Sequence, residues 1–107
     1  MEKELKELKG LLSRTISESL EDNQISEYGE IEIFMAYWDC LGDPKNTNMD
    51  EYYMAAHGKD LYIDNWIRHN RITPEILKHD GILSWALNSL RHDIIELAVD
   101  MGIIRAS

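Results

Sequence analysis

The sequence has little that would cross-link the chain, bind a thiolate metal or enter a membrane. Cys40 is the only cysteine among 107 residues, so no disulfide can form within the chain. We expect its side chain to be a small buried hydrophobe. The longest uninterrupted apolar run, Ile33 to Trp38, is far shorter than the ~18–20 residues that span a bilayer. The start of the chain alternates Glu with Lys and lacks a signal-peptide pattern, which predicts a cytoplasmic protein.

Basic residues are almost missing from the middle of the chain. The whole sequence has 11 Lys and Arg against 20 Asp and Glu, a net charge of −9. Residues 18–51 contain one base, Lys45, and ten acids, so this window alone carries −9 and the remainder sums to zero. The ten acids are Glu18, Glu21, Asp22, Glu27, Glu30, Glu32, Asp39, Asp43, Asp50 and Glu51. Such a field repels nucleic-acid phosphates and anionic lipid, and it attracts a basic partner.

The sequence also lacks the motifs of common catalytic and cofactor sites. The four histidines (His57, His69, His79 and His92) form no i, i+4 pair and no His-Glu-x-x-His pattern, so no metal site is predicted. No serine lies in a Gly-x-Ser-x-Gly elbow, and the six glycines form no phosphate-binding loop. We therefore expect no catalytic residues, no cofactor and no enzymatic activity.

Apolar periodicity at the start of the chain indicates a long amphipathic helix. Leu5, Leu8, Leu12, Ile16 and Leu20 recur at steps of three and four, with Glu and Lys between them. This pattern predicts a helix over residues 2–20. Its apolar face can pack within a single 107-residue domain. Alternatively, it can form a seam between two copies of the chain.

The second segment allows both a helix and a strand. Ser26 is placed to cap a helix that runs to about Leu41 and whose apolar residues keep helical spacing. Glu30 to Ile33 alternates as a strand does, and residues 30–37 are rich in strand-favouring types. We prefer the helix because no second strand candidate is available to pair with it.

The rest of the chain predicts several short helices. Gly42 to Asn48 forms a loop, and Asn48 followed by Glu51 resembles a capping box. Helices are then predicted over 49–57, closed by Gly58, over 60–70, capped by Asp60, and over a short turn opened by Thr73-Pro74-Glu75. A final pair covers 82–90 and 93–101. The expected fold is all-α, a single-domain stack of short antiparallel helices with a longer N-terminal amphipathic helix.

Residues 80–103 resemble an ankyrin repeat. Leu83 and Ala86 match core positions of its first helix, Asp93-Ile94-Ile95 matches the start of its second helix, and Leu97, Ala98 and Gly102 match its end. Residues 50–72 resemble an earlier, degenerate copy at a spacing of 31 residues. The resemblance implies helical hairpins over 50–103 and a surface that binds protein.

Aromatic residues lie among the acids of the middle segment. Trp38, Trp66 and Trp85 are expected to anchor the core, and Tyr37, Tyr52 and Tyr53 to reach the surface, where tyrosine is typical of binding hot spots. The predicted partner-binding residues are Glu27, Glu30, Glu32, Tyr37, Asp39, Asp43, Asp50, Glu51, Tyr52 and Tyr53.

These features favour a small acidic inhibitor, adaptor or regulator that docks on a basic protein. In a sharper version the carboxylates imitate phosphates and block a nucleic-acid-binding protein, as small virus-encoded inhibitors do. The alternative is an oligomerising structural module, a homodimer joined through the N-terminal leucine stripe.

Overall fold

The computed structural model describes residues 2–40 and 50–104. In these residues the chain forms four α-helices, α1 (Glu2–Asp22), α2 (Glu27–Cys40), α3 (Glu51–His69) and α4 (Ile82–Asp100), with a 3-10 turn at Ile76–Lys78. No strand occurs in these two segments. The all-α prediction is confirmed, and the segment 30–37 is helix, not strand.

The N-terminal apolar stripe forms one side of the core. Leu8, Leu12, Ile16 and Leu20 are at most 2% exposed, and α1 packs chiefly on α4. The matching stripe on α4, with members four residues apart, consists of Ala86, Leu90, Ile94 and Ala98, all fully buried. The apolar face of α1 therefore packs inside its own chain, as the first of the two interpretations proposed.

Helices α2 and α3 pack closely at Gly58. A Cβ atom at this position would collide with the backbone carbonyl oxygen of Phe34. The prediction that Gly58 ends a helix is wrong, because α3 continues through it to His69. Glycine serves here to let two backbones approach and not to stop a helix.

The predicted pair of helices over 82–90 and 93–101 is also wrong. Helix α4 runs without a break from Ile82 to Asp100, so the turn that an ankyrin hairpin requires near Leu90 does not form. Leu90 is fully buried within the α4 stripe. No Gly or Pro lies between residues 82 and 100, and an apolar stripe that continues through the proposed turn favours one helix. The chain therefore forms fewer and longer helices than the predicted stack of short ones, because α3 and α4 each replace two predicted helices.

Several helix starts were predicted from capping residues. Ser26 Oγ accepts a hydrogen bond from the Gly29 backbone N–H at 3.3 Å, and Thr73 Oγ1 accepts one from Ile76 N–H at 3.2 Å. The side chain of Asp50 caps α3 by accepting from Tyr52 N–H at 3.1 Å. Asp60 caps nothing, because it lies inside α3. The predicted loop 42–48, which includes the capping candidate Asn48, lies outside the described residues. So do Leu41 and the side chain of Cys40.

None of the helices in residues 2–40 and 50–104 combines the length and apolar character that a bilayer-spanning helix requires.

Candidate functional site

The outer face of α2 carries acids and a tyrosine. Tyr28, Glu32 and Asp39 follow steps of four and seven residues, which places them on one side of the helix, and all three are exposed. Tyr28 is 65% exposed. Neither Glu32 nor Asp39 forms an ion pair with any residue that the structure describes. This face therefore presents uncompensated negative charge beside an aromatic ring.

The first turn of α3 adds a second group of predicted site residues. Asp50 and Glu51 are exposed, and Tyr52 and Tyr53 are 60% and 56% exposed. The Tyr53 ring meets the His57 ring edge-on at 5.4 Å, whereas the Tyr52 ring makes no contact with another described ring. Tyr52 is thus the tyrosine of this turn whose ring is open to a partner.

A groove between α2 and α3 joins the start of α2 to Tyr52 of α3, and the outer-face residues Tyr28, Glu32 and Asp39 do not line it. It has a volume of about 180 Å³. Its lining residues come from both helices: Glu27, Glu30, Ile31, Phe34, Tyr52, Ala55, Ala56 and Lys59. The floor is apolar, and the exposed side chains of Glu27 and Tyr52 stand at its edges. Three of the residues predicted from sequence, Glu27, Glu30 and Tyr52, therefore share one site.

Glu30 does not contribute a free charge to this surface. Lys59 Nζ donates to Glu30 Oε1 at 2.8 Å and to Ser17 Oγ at 2.8 Å, and Ser17 Oγ donates to Glu30 Oε1 at 2.9 Å. The side chains of Lys59 and Glu30 are only 16% and 21% exposed. This triad links α1, α2 and α3. Glu30, one of the predicted partner-binding residues, is thus paired inside the chain.

Tyr37 is likewise engaged inside the protein. It is half-buried, its hydroxyl accepts a hydrogen bond from Asn65 Nδ2 at 2.9 Å, and its ring meets Tyr62 edge-on at 5.4 Å. Burial, reinforced by the negative charge of Asp93 and by Tyr37, raises the pKa of Tyr62 well above its usual value. Tyr37 is therefore only partly exposed, and its hydroxyl and ring contact α3 where the prediction had it reach the surface.

Two surface aromatics and one base were missed by sequence reasoning. Trp38 and Trp66 are buried as predicted, at 7% and 6% exposed, but Trp85 is 47% exposed and lies against Trp66 at 6.4 Å. Tyr28 is 65% exposed, although it comes three residues before Ile31 and so continues the spacing of the Ile31, Phe34 and Trp38 stripe. No local pattern pairs Lys59 with Glu30, because 29 residues separate them.

Asp43, the remaining predicted site residue, lies outside the described part of the chain. Within residues 2–40 and 50–104, no three His, Cys, Asp or Glu side chains come together in a way that could hold a metal ion.

We compared the chain with protein-family models, with curated proteins and with solved structures, and no match was found in any of the three comparisons.

Proposed function

We propose that this protein is a small acidic protein-binding module that acts as an inhibitor, adaptor or regulator. Its docking surface consists of the outer face of α2 and the first turn of α3. The observation that carries the proposal is the exposure of three tyrosines, Tyr28 at 65%, Tyr52 at 60% and Tyr53 at 56%, among exposed carboxylates. Tyrosine offers a large contact area with few rotatable bonds, which is why it is enriched in binding hot spots.

The charge of this surface favours a basic partner. Glu27, Glu32 and Asp39 on α2 and Glu51 on α3 are exposed and form no ion pair within the described residues. Uncompensated surface charge speeds association with an oppositely charged protein and suppresses other partners. A nucleic-acid-binding protein is such a partner, and the carboxylates would then occupy the place of phosphates.

The alternative module, a dimer joined through the leucine stripe of α1, has less support. Leu8, Leu12 and Ile16 are at most 2% exposed and belong to the core of the same chain. Forming a seam between two copies would first require α1 to leave that core.

A paired capture experiment tests the proposal. In the surface variant, Glu27, Glu32 and Asp39 are changed to Lys. In the control variant, three exposed acids that lie outside α2 and α3 are changed to Lys: Glu75, Asp80 and Asp100. Both variants alter net charge by the same amount. Tagged wild-type protein and both variants are incubated with lysate, and captured proteins are quantified by mass spectrometry.

We expect the surface variant to lose the partners that the control variant retains. Release of those partners by added DNA or RNA supports the phosphate-imitating version of the proposal. Identical capture by the two variants would contradict the docking surface, because bulk charge alone would then explain the binding.

A further inference from the structure

The groove between α2 and α3 has an apolar floor with acidic and aromatic edges. Phe34 is fully buried beneath it, and Ile31 and Ala55 are 8% and 7% exposed. The Tyr52 ring stands at one edge, and the carboxylate of Glu27 is exposed at the groove as well. An extended side chain with an aliphatic stem and a polar, flat head matches this order of surfaces.

The charge of the groove is negative despite the presence of Lys59. Lys59 and Glu30 neutralise each other, and Glu27 has no partner among the described residues. Both hydrogen bonds to Glu30 end on Oε1, so Oε2 receives no donor from the described residues. The first turns of α2 and α3 bring positive helix-dipole ends nearby, but Glu27, Glu30 and Glu51 lie in those turns and offset them.

We propose that this groove accepts the guanidinium side chain of one arginine from a basic protein partner. The inference rests on the proposed function and assigns the chemistry that the partner brings. The arginine methylenes lie on Ile31 and Ala55, the guanidinium stacks on the Tyr52 ring, and its N–H groups donate to Glu27. Glu30 Oε2 is available as a second acceptor without loss of the Lys59 contact.

Arginine fits this groove better than lysine for two reasons. Its planar head stacks on an aromatic face, and its several N–H donors can serve two carboxylates at once. A lysine ammonium is a compact, strongly hydrated charge that gains less from either contact.

The test is an NMR titration of the ¹⁵N-labelled full chain with three probe peptides. The peptides are Ac-Gly-Ser-X-Ser-Gly-NH₂ with X as arginine, lysine or the uncharged isostere citrulline. The groove variants are Tyr52→Leu and Glu27→Gln. The matched controls, Tyr28→Leu and Glu32→Gln, remove an exposed tyrosine and an exposed glutamate from the outer face of α2. Amide spectra of each variant without peptide confirm that it remains folded.

We expect the arginine peptide to shift amides in residues 27–31 and 52–59 and to bind more tightly than the lysine and citrulline peptides. Tyr52→Leu should weaken binding by about two- to fivefold through loss of stacking. Glu27→Gln should weaken it by a similar factor of about two to five through loss of the ion pair. The two control variants should bind as the wild type does.

Three results would overturn the groove assignment: no shifts with the arginine peptide, shifts confined to other residues, or equal effects in the groove and control variants. The capture experiment reports separately on the proposed function. Partner loss in the surface variant together with a failed titration would retain the docking surface and reject the arginine groove. A positive titration with unchanged capture would show that the groove can bind arginine but that the captured partners dock neither there nor on the proposed surface, because the surface variant also changes Glu27.

Discussion

The two principal helix pairs of this protein are joined in different ways. Helices α1 and α4 meet through aliphatic stripes, in which Leu12, Ile16, Leu90 and Ile94 are fully buried. Helices α2 and α3 meet through a backbone contact at Gly58. Directional contacts surround that point, including the Asn65 to Tyr37 hydrogen bond, the Lys59 to Glu30 ion pair and the edge-on ring pair of Phe34 and Tyr62.

The two helix pairs differ in how strongly their contacts depend on geometry. Aliphatic packing is non-directional and stabilises roughly in proportion to the apolar area buried. Hydrogen bonds, ion pairs and a close backbone contact require defined geometry. The α2–α3 pair carries the groove and the exposed tyrosines, so the proposed binding surface is built on the pair with the directional contacts.

The largest effect is expected from a substitution in the aliphatic α1–α4 pair. Leu90→Ala should destabilise the protein by about 2–5 kcal/mol, because it opens a cavity in a fully buried stripe. Leu83→Ala on the same helix is the control, since Leu83 is 42% exposed. Urea unfolding followed by circular dichroism measures both. A similar loss in the two variants would show that the α4 stripe is not the main contact.

The second prediction concerns the close backbone contact between α2 and α3. Gly58→Ala should destabilise by about 1–3 kcal/mol, because the new methyl group meets the Phe34 carbonyl and forces α2 and α3 apart. Gly10→Ala is the matched control: it also lies inside a helix, but nothing stands within 4 Å of its added Cβ.

Gly10→Ala should stabilise the protein by about 0.5–1 kcal/mol through helix propensity. Thermal unfolding of both variants gives the comparison. If both glycines responded with the same sign, the backbone contact at Gly58 would not control the α2–α3 packing.

The third prediction uses pH to probe the polar part of the α2–α3 pair. Burial, then the charge of Asp93 and then Tyr37 raise the pKa of Tyr62 above its ordinary 10.0. In the unfolded chain this phenol ionises near pH 10, while in the folded chain it keeps its proton to higher pH. The folded state thus binds more protons above pH 10, and stability falls as pH rises through that range.

The slope contributed by Tyr62 should reach at most about 1.4 kcal/mol per pH unit above pH 10. Unfolding by urea between pH 9 and 11.5, compared between wild type and Tyr62→Phe, measures it. Tyr53→Phe, an exposed tyrosine, should keep the wild-type slope. A Tyr62→Phe protein that retained the full slope would disprove the assignment.

The smallest effects are expected when the lysine of either of two lysine–carboxylate pairs is removed. Lys59→Met removes a half-buried ammonium that two acceptors share, and should cost about 1 kcal/mol. Lys9→Met removes the exposed partner of Asp64, and because the Lys9 side chain is 47% exposed the change should cost less than about 0.5 kcal/mol. Chemical unfolding in low and high salt distinguishes them, because salt screens the exposed pair more strongly. Equal costs would remove the distinction between these contacts.

Local patterns predicted the features that depend on neighbours in the chain. The stripe from Leu8 to Leu20, the Ser26 and Thr73 caps and the burial of Trp66 all follow from residues a few positions apart. Gly58 resembled a helix stop because its reason for being glycine, the Phe34 carbonyl, belongs to another helix. The Leu90 region resembled a repeat turn because its sequence spacing allowed one.

The site was partly predictable for the same reason. The charge of the middle segment identified Glu27 and Tyr52 as surface residues. Whether a given acid stays unpaired depends on contacts between helices, and Lys59 neutralises Glu30 across 29 residues. The orientation of Tyr37 toward Tyr62 and Asn65 is also set by the packing of α2 on α3.

The unequal environments of the tryptophans give the protein an internal optical reporter. Trp66 is buried and donates its indole N–H to Asp93 at 2.8 Å, while the neighbouring Trp85 is half exposed to water. An aqueous quencher such as iodide reaches Trp85 and is shielded from Trp66. Separation of α4 from α3 would expose the Trp66 indole as well, so quenching of the remaining fluorescence can follow the opening of that contact in a Trp38→Phe background without an attached dye.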